Sequence, residues 1–400
     1  MPENTNTNTT GKHRKTCSQM VLNFTPSWFS VNMGTGIISL LLFAAPHQFH
    51  AMYYFSVVFY VLNCVLFTLF FLITLTRYIV FPWIFWRMLQ HPAQSMFLGT
   101  FPMGLATIIN ATVLITVPAY GQWAITMVHV LWWIDVALSV LTCFGIPFLM
   151  FNVHHLSIEK MTAGWLLPIV PTVVAAASGG YVATVLNPDD AFVVLITSYC
   201  LWGLGLGLSF MVIALYFQRL ALHHLPEAEV IVSAFLPLGP LGQGSFGIIQ
   251  ISQAGKKVFL ENDLVRQAIS SEVVFIVSVI VGLLLWGLGL WWFFHGITSV
   301  LVRCIRGKIP FNMGFWGFIF PFGVFTSSTV AISKALPSAF FSYLAMVFIV
   351  ALVILWFYVA AGTLKKAFDQ SLFVAPCLSC MTDLSNGVNP GSNNRVIQAD

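Results

Sequence analysis

From residue 27 to residue 363 the sequence is a succession of apolar stretches parted by short polar links. A helix of about 20 apolar residues crosses the hydrocarbon core of a bilayer, and backbone groups left unpaired there are not tolerated. Such a chain folds as a bundle of membrane helices. The windows predict ten, over approximately 27–45, 51–75, 97–117, 122–150, 164–186, 191–218, 229–252, 271–302, 313–334 and 338–363. The links APHQFH, PAYGQ, NPDD and LPS join the first to the second, third to fourth, fifth to sixth and ninth to tenth. A longer charged link, Gln253 to Ser270, joins the seventh and eighth. The predicted class is therefore all-α integral membrane, built as five helical hairpins in series. Residues 1–20 read as a polar N-terminal tail, 21–365 as the transmembrane unit, and 366–400, rich in Asn, Ser and Gly, as a disordered tail.

Composition closes off other classes. With 58% hydrophobic and 8% charged residues, the chain is mostly dissolved in lipid. The net charge of +4 is small and its basic residues lie between apolar stretches, so no nucleic-acid partner is expected. Residues 1–20 lack the apolar core of a signal peptide. A cytoplasmic N-terminus places 13 of the 17 Lys and Arg residues inside, which predicts both termini cytoplasmic. Arg77 to Gln90, aromatic with basic ends, reads as a segment lying in the cytoplasmic interface. Cys64, Cys143 and Cys200 lie in apolar runs and read as packing residues, and Cys377 and Cys380 form a single pair with no second pair to complete a zinc site. His154–His155 and His223–His224 close the fourth and sixth helices without further ligands nearby in sequence. No metal, no cofactor and no enzymatic activity are expected, and no phosphate-binding loop of an ATP-driven pump is visible.

The odd-numbered windows share a second feature. FPMG occurs at 101–104, LPLG at 236–239 and FPFG at 320–323; the fifth window holds Pro168 and Pro171, and the first holds Gly34 and Gly36. A proline removes a backbone donor and clashes with the preceding turn. The recurrence predicts odd helices kinked or broken near their middles, set in a pseudo-fivefold ring around a central pore, with the even helices outside. In Gly314 to Ser328, Trp316 and Phe320 share a face and Phe320 precedes Pro321, which marks Phe320 as an aromatic plug. Phe101 and Phe322 are the alternatives. Candidate pore-lining residues are Asn32, Thr35, Asn110, Ser178, Gln243, Ser245, Thr326 and Ser327. Each could equally be a contact between packed helices. Past Glu229 at the edge of the seventh window, no charged residue occurs in the odd helices before Lys334, so the path is expected to meet an anion with amides and hydroxyls, not with a lysine. Asp135, in WWIDVALS of the fourth helix, is the exception in the membrane. It is either a proton-coupling carboxylate or a buried group bonded to a neighbouring helix.

PSWFSVNMGTG opening the first helix, LPLGPLGQG in the seventh and WGFIFP in the ninth resemble the tellurite-resistance/dicarboxylate transporter family, which includes the plant slow anion channels. Within it, PSWFSVNMGTGIIS and LGPLGQGSFGIIQ are most similar to the fungal sulfite efflux pumps. The likeness covers about residues 20–365. It implies a homotrimer in the plasma membrane, each protomer with its own pore, and a phenylalanine on the ninth helix that occludes it; Phe320 matches that position. The implied partners are the lipid bilayer and a small inorganic anion, sulfite or bisulfite. A proton-coupled malate carrier is the alternative on the same scaffold.

Overall fold

The computed structural model describes residues 15–261 and 271–378. Lys12, Arg14, Arg266, Cys380 and Arg395 lie outside the described residues. Ten helices form the body: α1 (Phe29–Ala44), α2 (His50–Val80), α3 (Thr100–Ala111), α4 (Gln122–Asn152), α5 (Val170–Val182), α6 (Pro188–His223), α7 (Leu238–Glu261), α8 (Ser271–Arg306), α9 (Trp316–Ala335) and α10 (Ala339–Phe368). Among the described residues nine helical segments are long and apolar enough to cross a membrane, and the fifth, α5, is a shorter apolar helix. The helix α7 runs on to Glu261, so the charged link expected from Gln253 begins as helix. The chain is also packed beyond 365: Phe373 stacks on Trp28 at 5.2 Å, and the Ala375 amide donates to Asn23 Oδ1 at 3.0 Å.

Burial divides the helices into two kinds. In the most apolar windows of α1, α3, α7 and α9, 72–89% of residues are buried; in the even helices the share is 17–33%. The even helices therefore turn Val58, Leu141, Met211, Leu284 and Ile354 outward, as a lipid-facing shell does. Inside that shell α1 packs on α3, α3 on α5, α5 on α7, α7 on α9, and α9 back on α1. Each even helix lies across its own odd partner and the next one, α2 across α1 and α3 and so on to α10 across α9 and α1.

The breakers sit elsewhere than the sequence suggests. Every odd helix is preceded by a 3-10 turn: Pro26–Trp28, Phe97–Gly99, Ala163–Leu166, Ile231–Phe235 and Met313–Phe315. Pro102 is the third residue of α3, Pro171 the second of α5, and Pro237 immediately precedes α7. The first amides of a helix have no intrahelical partner, so proline removes nothing there. Expected mid-helix breaks are thus helix starts. Pro321 falls inside α9, which continues through it unbroken. What it removes is one amide, leaving the Gly317 carbonyl without its usual partner four residues on.

The starts of the odd helices are held by a contact that recurs in all five units. At the end of each even helix a basic side chain donates to the backbone ahead of its own odd partner. Arg77 bonds Leu22 O at 3.0 Å, His154 bonds Leu89 O at 2.8 Å, and Arg219 bonds Glu159 O at 2.9 Å. Arg303 bonds Leu225 O at 2.9 Å, and Lys366 bonds Phe311 O at 2.8 Å. The basic residues that set membrane orientation are therefore also structural clasps.

Glycines let the odd helices touch. A Cβ on Gly242 would stand 2.6 Å from the Phe325 amide nitrogen, and one on Gly323 would stand 2.7 Å from Ile37. Gly242→Ala is expected to destabilise by about 1–3 kcal/mol, because it meets backbone that cannot step aside alone. Gly203→Ala, which meets nothing within 4 Å, is the control. Thermal unfolding in detergent checks this, with the melting point lowered only for Gly242→Ala.

Candidate functional site: a cavity between the odd helices

A cavity of about 80 Å³, measured for the centres of water-sized molecules, lies among the odd helices, and no even-helix residue lines it. On α9 its lining is Phe320, Val324, Ser327, Val330, Ala331 and Lys334, of which all but Val330 form a stripe at steps of three and four. Gln243, Phe246 and Gln250 line it from α7, Thr107 and Asn110 from α3, Val174 and Tyr181 from α5, and Ile37 to Ala44 from α1. The residues nearest the helix starts are Ile37, Thr107, Val174, Gln243 and Phe320, and these form the floor. The far end holds Ala44, Asn110, Tyr181, Gln250 and Lys334.

Below the floor is a wide vestibule of about 1550 Å³, at the starts of the same helices. Met33, Thr100, Leu167, Leu236 and Gly317 line it. They precede Ile37, Thr107, Val174, Gln243 and Phe320 by four, seven, seven, seven and three residues, so each helix turns one face to both hollows. The two spaces thus share helix faces, and Phe320, on the floor between them, is 3% exposed. Helix N-termini carry partial positive charge and C-termini partial negative charge. All five positive ends gather at the vestibule; α1, α5 and α9 end at the far mouth, while α7 runs on to Glu261 and the chain stays helical past α3 to Tyr120.

Of the expected lining residues, Asn110, Gln243 and Ser327 face the cavity. The Asn110 Oδ1 has no hydrogen-bond partner, and both carboxamides offer N–H donors. The others are placed differently. The Asn32 amide donates to Asn63 Oδ1 at 3.1 Å, and the Asn63 amide to Thr107 Oγ1 at 3.0 Å, tying α1 to α2 and α3. Thr35 accepts from Trp356 Nε1 at 3.2 Å, on the α10 side. Ser245 donates to Gly282 O at 2.7 Å and meets Ser328 at 2.5 Å. Thr326 bonds Phe322 O within its own helix at 2.8 Å, and Ser178 is buried outside the lining. Polar groups in lipid are consumed by packing unless the helix face directs them inward.

The alternative plugs are also corrected by placement. Trp316 donates to Thr363 Oγ1 at 3.0 Å and fills the space left by Gly34. Phe101 packs edge-on to Phe29 at 4.9 Å, and Phe322 stacks on Phe293 at 5.1 Å, both away from the cavity. Asp135 is wholly buried outside the lining, and neither carboxylate oxygen has a hydrogen-bond partner. The expectation of a path free of fixed cations is overturned by Lys334, which lies on the lining stripe of α9. Reading that stripe forward from Phe320 in steps of three and four would have found it. Gln250, polar on an odd helix and seven residues after Gln243, carries a signal of its own, whereas Tyr181 and Phe246 have none. Among the described residues no group of three or more His, Cys, Asp or Glu could hold a metal.

Residues 23–364 match the family described as voltage-dependent anion channel (SLAC1). The chain is 45% identical to sulfite efflux pump SSU1 of Trichophyton rubrum over 354 residues, 88% of this chain and 93% of that one. It is 31% identical to sulfite efflux pump SSU1 of Candida albicans, over 78% of this chain and 67% of that one. It is 27% identical to the malic acid transport protein of Schizosaccharomyces pombe, over 85% and 77%.

Phe101→Ala and Phe322→Ala are expected to lower the melting point in detergent, each losing ring packing, without raising chloride flux in liposomes. Higher flux in either would move the plug away from Phe320.

Proposed function

The chain belongs to the voltage-dependent anion channel family, and from that premise we propose that it exports sulfite or bisulfite through a path between its odd helices, gated by the Phe320 ring. The observation that carries this reading is the cavity lined by odd helices alone, with Phe320 at its floor and a vestibule on the same helix faces. The cycle of contacts from α1 round to α9 supports a pseudo-fivefold ring. Ten crossings follow if α5 spans together with its 3-10 turn. Seventeen residues of turn and helix rise about 28 Å, close to the hydrocarbon thickness of about 30 Å. Lys15 meets Gln370 and Phe373, so both described ends share one side, as an even number of crossings requires. The distribution of Lys and Arg supports the cytoplasm as that side, and the likeness to sulfite efflux pumps supports the plasma membrane as the location. The homotrimer implied by the family resemblance is checked by mass measurement in nanodiscs.

Transport needs no chemistry on the protein. An anion enters the vestibule, where the positive helix ends lower its energy. A rotation of the Phe320 side chain joins the two spaces. The inside-negative potential then drives export, worth about 2.3 kcal/mol per charge per 100 mV. The second reading, a proton-coupled malate carrier, rests on the unpartnered carboxylate of Asp135. In proteoliposomes under an imposed voltage, sulfite should pass without a pH gradient, and Phe320→Ala should raise the flux at least tenfold. Asp135→Asn should leave flux unchanged in folded protein. Flux that requires a pH gradient and is lost in Asp135→Asn would establish the carrier instead.

A further inference from the structure

We infer that Lys334 is an anion-binding subsite at the outer mouth of the path, and that it sets the preference for anion charge. The inference rests on the path reading above. Lys334 closes the α9 stripe that begins at Phe320, and it is the one charged side chain among the described residues lining the cavity. Its neighbour in charge on α7, Lys256, is already engaged: its Nζ lies 3.1 Å from Glu272 and 3.8 Å from the Phe275 ring centre. No carboxylate among the described residues lies within ion-pair distance of Lys334. Lys334 as a residue is exposed, not sealed in the core.

The mouth needs such a group. The C-termini of α1, α5 and α9 lie there, and their carbonyl ends repel an anion that the N-termini have just attracted. Without a counter-charge an anion leaving the floor at Phe320 would climb toward the exit. An ammonium at that point levels the climb and leaves the anion in water's reach, so it is held briefly and released. A lysine in the last turn also complements its own helix dipole, but that role is indifferent to what passes through the cavity. Electrostatic free energy scales with the charge of the anion, so the effect of Lys334 on a rate is squared for a dianion. The subsite therefore favours sulfite dianion over chloride or bisulfite at the outer mouth.

The test uses the full chain in liposomes, with Phe320→Ala as the open background, and reads uptake from the outer mouth under voltage. Adding Lys334→Gln should lower chloride flux by about threefold and sulfite flux, at mildly alkaline pH, by about tenfold, within the range that focused charge gives. Lys334→Arg should retain both fluxes and serves if the glutamine variant folds poorly. An impermeant salt should shrink the difference by screening. Equal loss for both anions, or no loss in Lys334→Gln while Phe320→Ala still raises flux, overturns the subsite and spares the path. If Phe320→Ala itself changes nothing, the path reading falls and the subsite with it.

Discussion

An unpaired backbone group in hydrocarbon costs several kcal/mol, and this structure is arranged around where its irregular backbone can be kept. Proline-marked helix starts and five 3-10 turns would be costly facing lipid. They lie instead within a shell of long even helices whose own backbone bonds are regular. The shell does more than cover. Its basic ends reach across to carbonyls ahead of each odd helix, from Arg77 at Leu22 to Lys366 at Phe311. A cation in the membrane interface is thereby placed where a loop carbonyl would otherwise lack a donor. The second unit uses a histidine, His154, for the same contact.

With the irregular segments held at one level, the odd helices begin together and run in the same direction. On the proposed path this would make the interior attractive to anions at the vestibule, mostly apolar along the α9 stripe, and repulsive at the far mouth, where α1, α5 and α9 end, but for Lys334. Phe320 sits where the stripe passes from one space to the other. In the proposed path a ring there would be an economical gate, because one side-chain torsion moves it and no backbone bond has to break. Pro321 beside it frees the Gly317 carbonyl at the vestibule, so the polar defect and the apolar plug adjoin on one turn.

Much of this was legible in the residues. Length and hydropathy placed the spans to within several residues, and the recurrence of Pro and Gly separated inner from outer helices. The position of the breaks was not legible, because a proline inside an apolar window does not say where the helix begins. Pro102 lies inside the window 97–117, but Phe97–Gly99 is a 3-10 turn, which puts Pro102 in the first turn of α3. The lining was half legible. A helix apolar all round has no face that sequence marks as inward, so Asn32, Thr35, Ser245 and Thr326 look no different from Asn110, Gln243 and Ser327. Contacts decide between them: Asn63 takes Asn32 and Trp356 takes Thr35. The stripe through Lys334 was available from Phe320 by helical spacing alone.

The central claim is that anions pass along one face of α9, and chemical access tests it most directly. Single cysteines at Val324, Ser327 and Ala331, and at Phe322 and Phe325 on other faces, would be introduced into a cysteine-free, Phe320→Ala chain in liposomes. Chloride flux would then be followed during treatment with a charged, membrane-impermeant thiol reagent. The account predicts block at 324, 327 and 331 and no effect at 322 and 325. Block at 322 or 325 with free flux at the stripe positions would place the path elsewhere.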